Sequence, residues 1–265
     1  MAAEERSTLL DAVVAAGIDP SRMMPGTGCC SVTETVELTA HAVRHGCAGV
    51  LMLPPFYYKN VSEEGLYRYF SEVVQRVGDT RLKIYLYHIP PVAIVGITPK
   101  LVERLLKAYP TAIAGMKDSS GDWNNTKTFL DAFAVRAGRA VSGFDVFVGS
   151  ESFLLANMRN GGVGTISATA NVNPAAIHKL YRQWNTAGDA DNADQQQSKL
   201  NAVREVFSSR KFPSMIAALK QAIAIHRNDP EWSRVRPPLV ELTKEQAKLL
   251  AAELKAIGFA MPDIA

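Results

Sequence analysis

Short apolar runs alternate with helix-forming stretches along most of the chain. The apolar runs predict six strands, at residues 22–28, 49–54, 83–89, 112–117, 145–149 and 163–168. Near-continuous apolar strands of this length are typical of a parallel sheet whose two faces are both covered. No linker or low-complexity tract separates the strands from the stretches between them, so the pattern predicts one α/β body.

Helical spacing replaces this alternation beyond residue 174. It predicts four helices, at 174–187, 190–208, 213–227 and 243–257, and the prolines of 230–239 predict an extended connector. Helix-start signals precede several predicted helices, among them Ser31-x-x-Glu34 and Thr98-Pro99. We therefore divide the chain into a β/α body, residues 1–173, and a C-terminal helical region, residues 174–265.

Composition and charge exclude several classes of partner. The chain has 265 residues, 47% hydrophobic and 21% charged, as in ordinary globular proteins. A formal charge of +3, with acids and bases interspersed, argues against nucleic acid. No apolar stretch reaches the ~20 residues that a membrane helix needs. The first 17 residues resemble an amphipathic helix and not a signal peptide, so we expect a cytoplasmic protein.

The cysteines and histidines predict neither disulfides nor a metal centre. Cys29, Cys30 and Cys47 are odd in number and lack a C-x-x-C pair, which favours reduced thiols. His41 and His45 are four residues apart in a predicted helix. Without a third ligand nearby in the sequence, a surface or packing role is favoured over zinc, and we expect no metal.

Lys117 ends the apolar run AIAGMK and is followed at once by small polar residues. The carboxyl ends of parallel strands form the active-site face of α/β barrels. A lysine in such an apolar setting is favoured in its neutral form, and a neutral amine can attack a ketone to form a Schiff base. The alternative is a lysine that extends from the strand end to water. Taken alone, this run favours the alternative.

Tyr87 changes that balance. It ends the run KIYLYHIP one βα unit before Lys117, so adjacent strands deliver both side chains to the same rim. A phenol beside a Schiff base can shuttle protons during its formation and during bond cleavage. The spacing leaves the alternative open that Tyr87 is an aromatic side chain that only fills the end of the sheet.

Five segments in order carry a resemblance to a known family: PGTG (25–28), PPFYYKNVSEEGLY (54–67), LYHIP (86–90), GMKDSSGD (115–122) and GGVGTISATANV (161–172). Together they resemble the dihydrodipicolinate synthase/N-acetylneuraminate lyase family of class I aldolases over nearly the whole chain. The resemblance implies a TIM (β/α)8-barrel fold with extra C-terminal helices. It also implies a homo-oligomer, a dimer or tetramer, and a Schiff base with pyruvate or another 2-oxo acid.

The resemblance assigns catalytic roles to three positions. Lys117 matches the Schiff-base lysine and Tyr87 the catalytic tyrosine. Tyr57 or Tyr58 matches a tyrosine that a neighbouring subunit contributes to the proton relay, and we favour Tyr57. The covalent intermediate through Lys117 implies that no cofactor is needed.

Further positions match substrate contacts of the family. Ile166 matches a residue whose backbone carbonyl faces the bound 2-oxo acid, and Ser167 lies beside it. Gly149, Ser150 and Glu151 match the strand end that meets the distal part of the substrate. Ser119 matches a hydroxyl position used by members that act on sugar acids.

One departure from the family concerns the second substrate. In dihydrodipicolinate synthases an arginine, five residues after the catalytic tyrosine, grips a carboxylate, and here Val92 occupies that position. Valine has no side-chain donors and cannot hold a carboxylate by two hydrogen bonds as arginine does, which argues against the lysine-biosynthetic reaction. Ser119 and Ser150, with Glu151, indicate a hydroxylated or otherwise different acceptor.

A second departure is the absence of the family's G-T-T-G-E loop, which binds the pyruvate carboxylate. GTGCCS (26–31) resembles it, but the order of segments places this stretch on the third strand. We therefore expect a chain that begins at the family's second helix and lacks roughly two strands. The leading hypothesis is a pyruvate-type aldolase or lyase. The alternatives are a Schiff-base dehydratase of a sugar acid, and a catalytically impaired or non-catalytic paralogue.

Overall fold

A computed structural model describes residues 1–134, 143–185 and 190–261. The chain forms two compact units: Met1–Phe147 with Asn160–Val163, and Val148–Arg159 with Gly164–Ala265. The division that the sequence predicts at residue 173 stays a prediction. Residues 186 and 187, the end of one predicted helix, lie outside the described residues.

The first unit is built on parallel strands, as the apolar runs predict. These are β1 (Val50–Met52), β2 (Ile84–His88), β3 (Ile113–Asp118) and β4 (Asp145–Val148, to Phe147 in this unit). They lie in the order β1-β2-β3-β4, and both β1 with β2 and β2 with β3 run parallel. The carboxyl ends of β2 and β3 therefore meet at one edge of the sheet.

The strand predicted at 22–28 is reduced to one bridge, so that prediction is wrong in extent. Gly26 pairs with Leu51 alone: Thr27 N donates to Leu51 O at 3.0 Å, and Leu51 N donates to Pro25 O at 2.9 Å. A short 3-10 turn, Pro20–Arg22, precedes the bridge. Because Pro25 has no N–H to donate, pairing does not extend backwards from Gly26.

Helices alternate with these strands in the first unit. They are α1 (Ala3–Ala15), α2 (Val32–Arg44), α3 (Glu63–Val77), α4 (Pro90–Ala93), α5 (Pro99–Ala108) and α6 (Trp123–Phe133). Two predicted caps are confirmed: the Ser31 hydroxyl accepts from Glu34 N, and the Thr98 hydroxyl accepts from Leu101 N at 3.1 Å. Each cap satisfies a backbone donor that the first helical turn leaves free.

One apolar cluster holds the strands against the helices of this unit. Ile84, Leu86 and Met116 from β2 and β3 are completely buried in it, together with Phe70 of α3 and Phe129 of α6. Burying each such side chain is worth roughly 1.5–3 kcal/mol. This packing fixes one face of β2 and β3, and the alternate residues project from the other face.

The second unit is largely helical beyond a short strand, as predicted. It contains α7 (Leu154–Arg159), β5 (Gly164–Thr165), α8 (Pro174–Gln183), α9 (Ala190–Ser208), α10 (Met215–Arg227) and α11 (Lys244–Ala256). The connector at 230–239 begins with a short 3-10 turn, Pro230–Ser233, and is otherwise irregular. No helix within the described ranges combines the length and apolarity that crossing a membrane requires.

Candidate active site

The strand register brings Lys117 and Tyr87 together. The two residues are direct partners in the β2–β3 ladder. Lys117 Nζ donates to the Tyr87 hydroxyl at 3.1 Å and lies 4.2 Å from the centroid of its ring. Lys117 is only 9% exposed and, among the described residues, has no carboxylate partner. The amine is therefore enclosed beside a phenol and does not extend to water.

Tyr85 forms the layer beneath this pair, two residues earlier on β2. Its ring occupies the space where Gly49 and Gly115 lack side chains, since a Cβ on either glycine would lie 2.8 Å from the ring. The Tyr85 hydroxyl donates to Asp145 Oδ2 at 3.1 Å. The two glycines thus make room for an aromatic floor below Lys117.

The charge state of this floor follows from burial. Burial raises the pKa of Tyr85 to about 12, and the charge of Asp145 acts in the same direction. Burial also raises the pKa of the Asp145 carboxyl. Tyr85 consequently keeps its proton at neutral pH and serves as a fixed donor, whereas Tyr87 is the phenol that contacts the amine.

The turn after β3 is held by a buried carboxylate. Asp118 is 3% exposed and accepts from Ser120 N at 2.9 Å, from the Ser120 hydroxyl at 3.0 Å and from the Thr126 hydroxyl. Ser119 N donates to His88 O at 2.7 Å, which extends the β2–β3 ladder beyond Lys117. The half-buried Ser119 is thereby fixed at the same strand ends as the lysine.

His88 is a buried residue behind the site, on the face of β2 opposite to Tyr87, that the sequence reasoning missed. Its Nδ1 accepts from Ile97 N at 2.9 Å, so the ring is unprotonated at that nitrogen. Burial lowers the pKa of His88, and the charge of Asp118 opposes this effect. The neutral ring fixes the segment after α4 against the end of β2. Its position one residue after Tyr87 at a strand end is the signal that could have found it.

The loop after β1 carries the predicted relay tyrosines on the surface. Tyr57 and Tyr58 are 74% and 75% exposed, with ring centroids 5.2 Å apart. Lys59 ties the loop down by donating to the carbonyls of Phe56 and Ala93. Neither tyrosine hydrogen-bonds to the Lys117 site within the described part of the chain, so the relay role of Tyr57 stays a prediction.

Among the predicted substrate contacts of the second unit, Glu151 is already engaged. It is 1% exposed and accepts from the hydroxyls of Ser167 and Thr169, and Arg204 Nη1 lies 3.3 Å from its Oε2. Arg204 also donates to the Ser167 hydroxyl at 3.2 Å. A buried acid with three donors is a fixed structural group. Arg204 lies on α9, far along the chain, and no local sequence signal announces it.

The other predicted contacts of this unit lie at the ends of β4 and β5. Gly149 directly follows β4, and the Ser150 hydroxyl accepts from Ser152 N at 3.2 Å. Ile166 N donates to Val148 O at 2.9 Å. These bonds fix the backbone at both strand ends, and the substrate roles of these residues stay predictions.

Comparison with known proteins identifies the family of this chain. The sequence profile of the Dihydrodipicolinate synthetase family matches residues 1–257. The chain belongs to this family. The predicted fold class, α/β of the (β/α)8-barrel type with C-terminal helices, is thereby confirmed, and the family-level activity is that of a lyase.

Relatives within the Dihydrodipicolinate synthetase family carry different activities. A 4-hydroxy-tetrahydrodipicolinate synthase of Thermus thermophilus is 36% identical over 96% of this chain and 80% of its own length. The probable 2-dehydro-3-deoxy-D-pentonate aldolase YjhH of Escherichia coli K12 is 29% identical over 97% of this chain and 78% of its own. Among solved structures, YagE of Escherichia coli K12 in complex with pyruvate superposes with a TM-score of 0.86, at 26% identity, covering 98% of this chain and 83% of YagE.

Proposed function

We propose that this chain is a pyruvate-type class I aldolase or lyase in which Lys117 forms a Schiff base with a 2-oxo acid. The contact between the enclosed Lys117 amine and the Tyr87 hydroxyl, 3.1 Å apart, carries the proposal. The amine nitrogen attacks the ketone carbon, and the ketone oxygen leaves as water with two hydrogens from the amine. The imine takes up one proton and then accepts the electron pair of the breaking C–C bond as an enamine, while the aldehyde leaves and its former hydroxyl proton passes to the Tyr87 relay.

Tyr87 is proposed to move the protons of these steps. Carbinolamine formation and dehydration each transfer a proton at the atoms next to Lys117 Nζ, and a hydroxyl within hydrogen-bonding distance can carry it. Tyr57, exposed on its loop, is proposed to complete the relay in a neighbouring copy of a homo-oligomer, a dimer or tetramer. The intermediate is held by Lys117 itself, so the proposal includes no cofactor.

The substrate is proposed to contact the strand ends around the lysine. Ser119 is fixed there by the His88 carbonyl, and its hydroxyl has no partner among the described residues. A free hydroxyl two residues after Lys117 suits a hydroxylated substrate. Glu151 is proposed to act through Ser167, because its own carboxylate is buried. Gly149, Ser150 and Ile166, at strand ends of the second unit, are proposed as substrate contacts from the family resemblance alone.

The side chain at position 92 favours an acceptor that carries no carboxylate near it. Val92 is 72% exposed and apolar, and it offers none of the paired donors with which arginine holds a carboxylate. We therefore propose cleavage or formation of a C–C bond to a hydroxylated aldehyde, in line with the relative named as a pentonate aldolase. A dehydratase of a sugar acid shares the same Schiff base and differs only in the bond that breaks next.

Borohydride trapping tests the Schiff base directly. The purified protein is incubated with pyruvate and sodium borohydride, and the intact mass is measured. Hydride addition to the imine carbon should give one stable adduct per chain, located on Lys117 by peptide mapping. Lys117→Ala should give none, and Tyr87→Phe should form it more slowly. Lys83→Ala is the matched control, because Lys83 directly precedes β2 with its amine bound to Thr111 O and is expected to leave trapping unchanged.

The outcome separates the competing functions. No adduct at millimolar pyruvate would overturn the proposal and support a non-catalytic paralogue. With an adduct established, pyruvate release from a panel of hydroxylated 2-oxo acids identifies an aldolase. Loss of water with the carbon chain intact identifies a dehydratase. Consumption of a carboxylate-bearing aldehyde by the wild type at the rate of a hydroxylated one would contradict the argument from Val92.

A further inference from the structure

Three metal-binding side chains converge on the surface of α1 and α2. Asp11 Oδ1 lies 2.7 Å from His41 Nε2 and 2.7 Å from His45 Nε2. All three donor atoms lie within 4.8 Å of one another. The two imidazole rings are in edge contact, with centroids 4.7 Å apart. Within the described ranges this is the one set of His, Cys, Asp and Glu donors close enough to share a metal ion.

The third member of the cluster comes from another helix. His41 lies in the last turn of α2 and His45 is the residue that caps its C-terminus, four positions later, so both rings lie on the same side of the helix end. The spacing of the two histidines alone predicts no metal site, because the sequence around them offers no third ligand. The packing of α1 on α2 supplies it, since Asp11 lies 30 residues before His41 and meets both rings.

We propose that Asp11, His41 and His45 form a zinc site that joins α1 to α2. Two imidazole nitrogens and a carboxylate oxygen are a known ligand set for Zn²⁺, with water in the fourth position. Bond lengths of about 2.0–2.2 Å place tetrahedral ligands roughly 3.3 Å apart. The carboxylate must therefore move outward by about half an ångström. Asp11 is 52% exposed and free to do so, whereas the rings are 19% and 28% exposed and held at the C-terminal end of α2.

Arg44 opposes the metal in a way that can be measured. Its Nη2 lies 3.4 Å from His41 Nδ1. When His41 Nε2 binds a cation, the ring proton of the neutral imidazole resides on Nδ1, which then faces another donor. The positive charge of Arg44 also repels the ion. Arg44 is exposed and can turn away, so the site exists but is weakened by this neighbour.

The zinc would act as a structural clip. No residue of α1 is fully buried, so the helix gains little from the apolar core. A metal shared between α1 and α2 binds the folded arrangement and not the unfolded chain, and such binding raises stability in proportion to the logarithm of ligand concentration. The clip would therefore secure the N-terminal helix when zinc is present.

Zinc titration of the untagged, EDTA-stripped chain tests the proposal. Calorimetry with ZnCl2 should show one ion per chain. His45→Gln and Asp11→Asn should each lower the affinity by roughly tenfold or more, because each removes one of three protein ligands. Arg44→Gln should raise it. His178→Gln is the matched control, since His178 lies on α8 and is expected to leave the titration unchanged. Because the three side chains are partly exposed, circular dichroism should show that the variants stay folded.

Cobalt substitution distinguishes this site from adventitious binding to thiols. Co²⁺ held by two imidazoles and a carboxylate should give visible d–d bands without the near-ultraviolet charge-transfer band that a cysteine ligand produces. Cys30→Ser, which removes the exposed thiol, should leave the spectrum unchanged. The proposal is overturned if the wild-type and His45→Gln titrations superimpose, or if Cys30→Ser abolishes binding.

Discussion

Gly115 should be the glycine of the site that is least tolerant of a side chain. It lies on β3 two residues before Lys117 and opposite Tyr85 in the ladder. A Cβ built there would approach Asp145 O to 2.4 Å, Tyr85 Cδ1 to 2.8 Å and Asp145 Cβ to 2.9 Å. The first of these atoms belongs to the backbone of the neighbouring strand, so it cannot yield by a change of rotamer.

The cost of Gly115→Ala follows from that geometry. Forcing extra atoms into a packed interior costs typically 1–3 kcal/mol. Because the clash combines a backbone oxygen and an aromatic ring held by a hydrogen bond, we expect about 3 kcal/mol, the upper part of this range. The relaxation should also push Tyr85 toward Tyr87 and displace the phenol from Lys117 Nζ. Stability and Schiff-base formation should therefore both decline.

Urea unfolding, followed by tryptophan fluorescence, measures the first effect, and borohydride trapping of pyruvate under folding conditions measures the second. Gly65→Ala is the matched control: Gly65 lies in α3, where the nearest foreign atom to a new Cβ is Ser62 Oγ at 3.4 Å. Alanine in a helix should stabilise there by about 0.5–1 kcal/mol. An unfolding midpoint for Gly115→Ala equal to that of the wild type would refute the packing argument.

Three further changes test other parts of the structure. Glu151→Gln should lower the free energy of unfolding in urea by roughly 1–3 kcal/mol, because it removes the buried counter-charge of Arg204. The partial exposure of Arg204 to water limits the cost, and an unchanged unfolding midpoint would contradict this expectation. Ile94→Gly should stabilise by about 1 kcal/mol, since Ile94 is held at φ +56°, where a β-branched residue is strained, whereas Ile94→Ala should gain less. Burial raises the pKa of Asp145, so its carboxyl favours folding at acid pH and loses that contribution as pH rises through the raised pKa. Asp145→Asn should accordingly gain stability relative to the wild type as the pH rises above 3.8, the ordinary pKa of the carboxyl, and the gain should level off above the raised pKa. A stability difference that does not change with pH would show that Asp145 does not titrate in this way.

The Lys117–Tyr87 contact could be predicted from sequence because it depends on short-range rules. Apolar runs define two strands, parallel connection places their carboxyl ends together, and alternation puts both side chains on one face. The prediction did not include the register irregularity between Ile84 and Tyr85, where Gly115, not Ala114, becomes the partner of Tyr85. That shift depends on the space between neighbouring strands, which a single sequence does not encode locally.

Contacts between distant segments were beyond the sequence reasoning. Glu151 was predicted as a substrate contact, yet its neighbours Ser167, Thr169 and Arg204 come from a later strand end and from α9. The local sequence of Arg204 carries no signal, and the segment GGVGTISATANV does not show that Ser167 and Thr169 bind Glu151, so only the folded structure shows that together they enclose the acid. The strand predicted at 22–28 failed for a related reason, since its apolar content could not show how little of it pairs with β1.

The N-terminal helix illustrates how polar contacts replace a core. Because α1 has no fully buried residue, its attachment depends on side chains that reach neighbouring segments. Arg6 donates to Gly26 O at 2.5 Å and to Cys29 Sγ at 3.0 Å, and Asp11 contacts both histidines at the C-terminal end of α2. Exposed polar ties are individually weak, so α1 should open locally with less free energy than β2 and β3 require. A metal that binds at Asp11 would raise that local opening energy while leaving the Lys117 strand, and the chemistry proposed for it, unchanged.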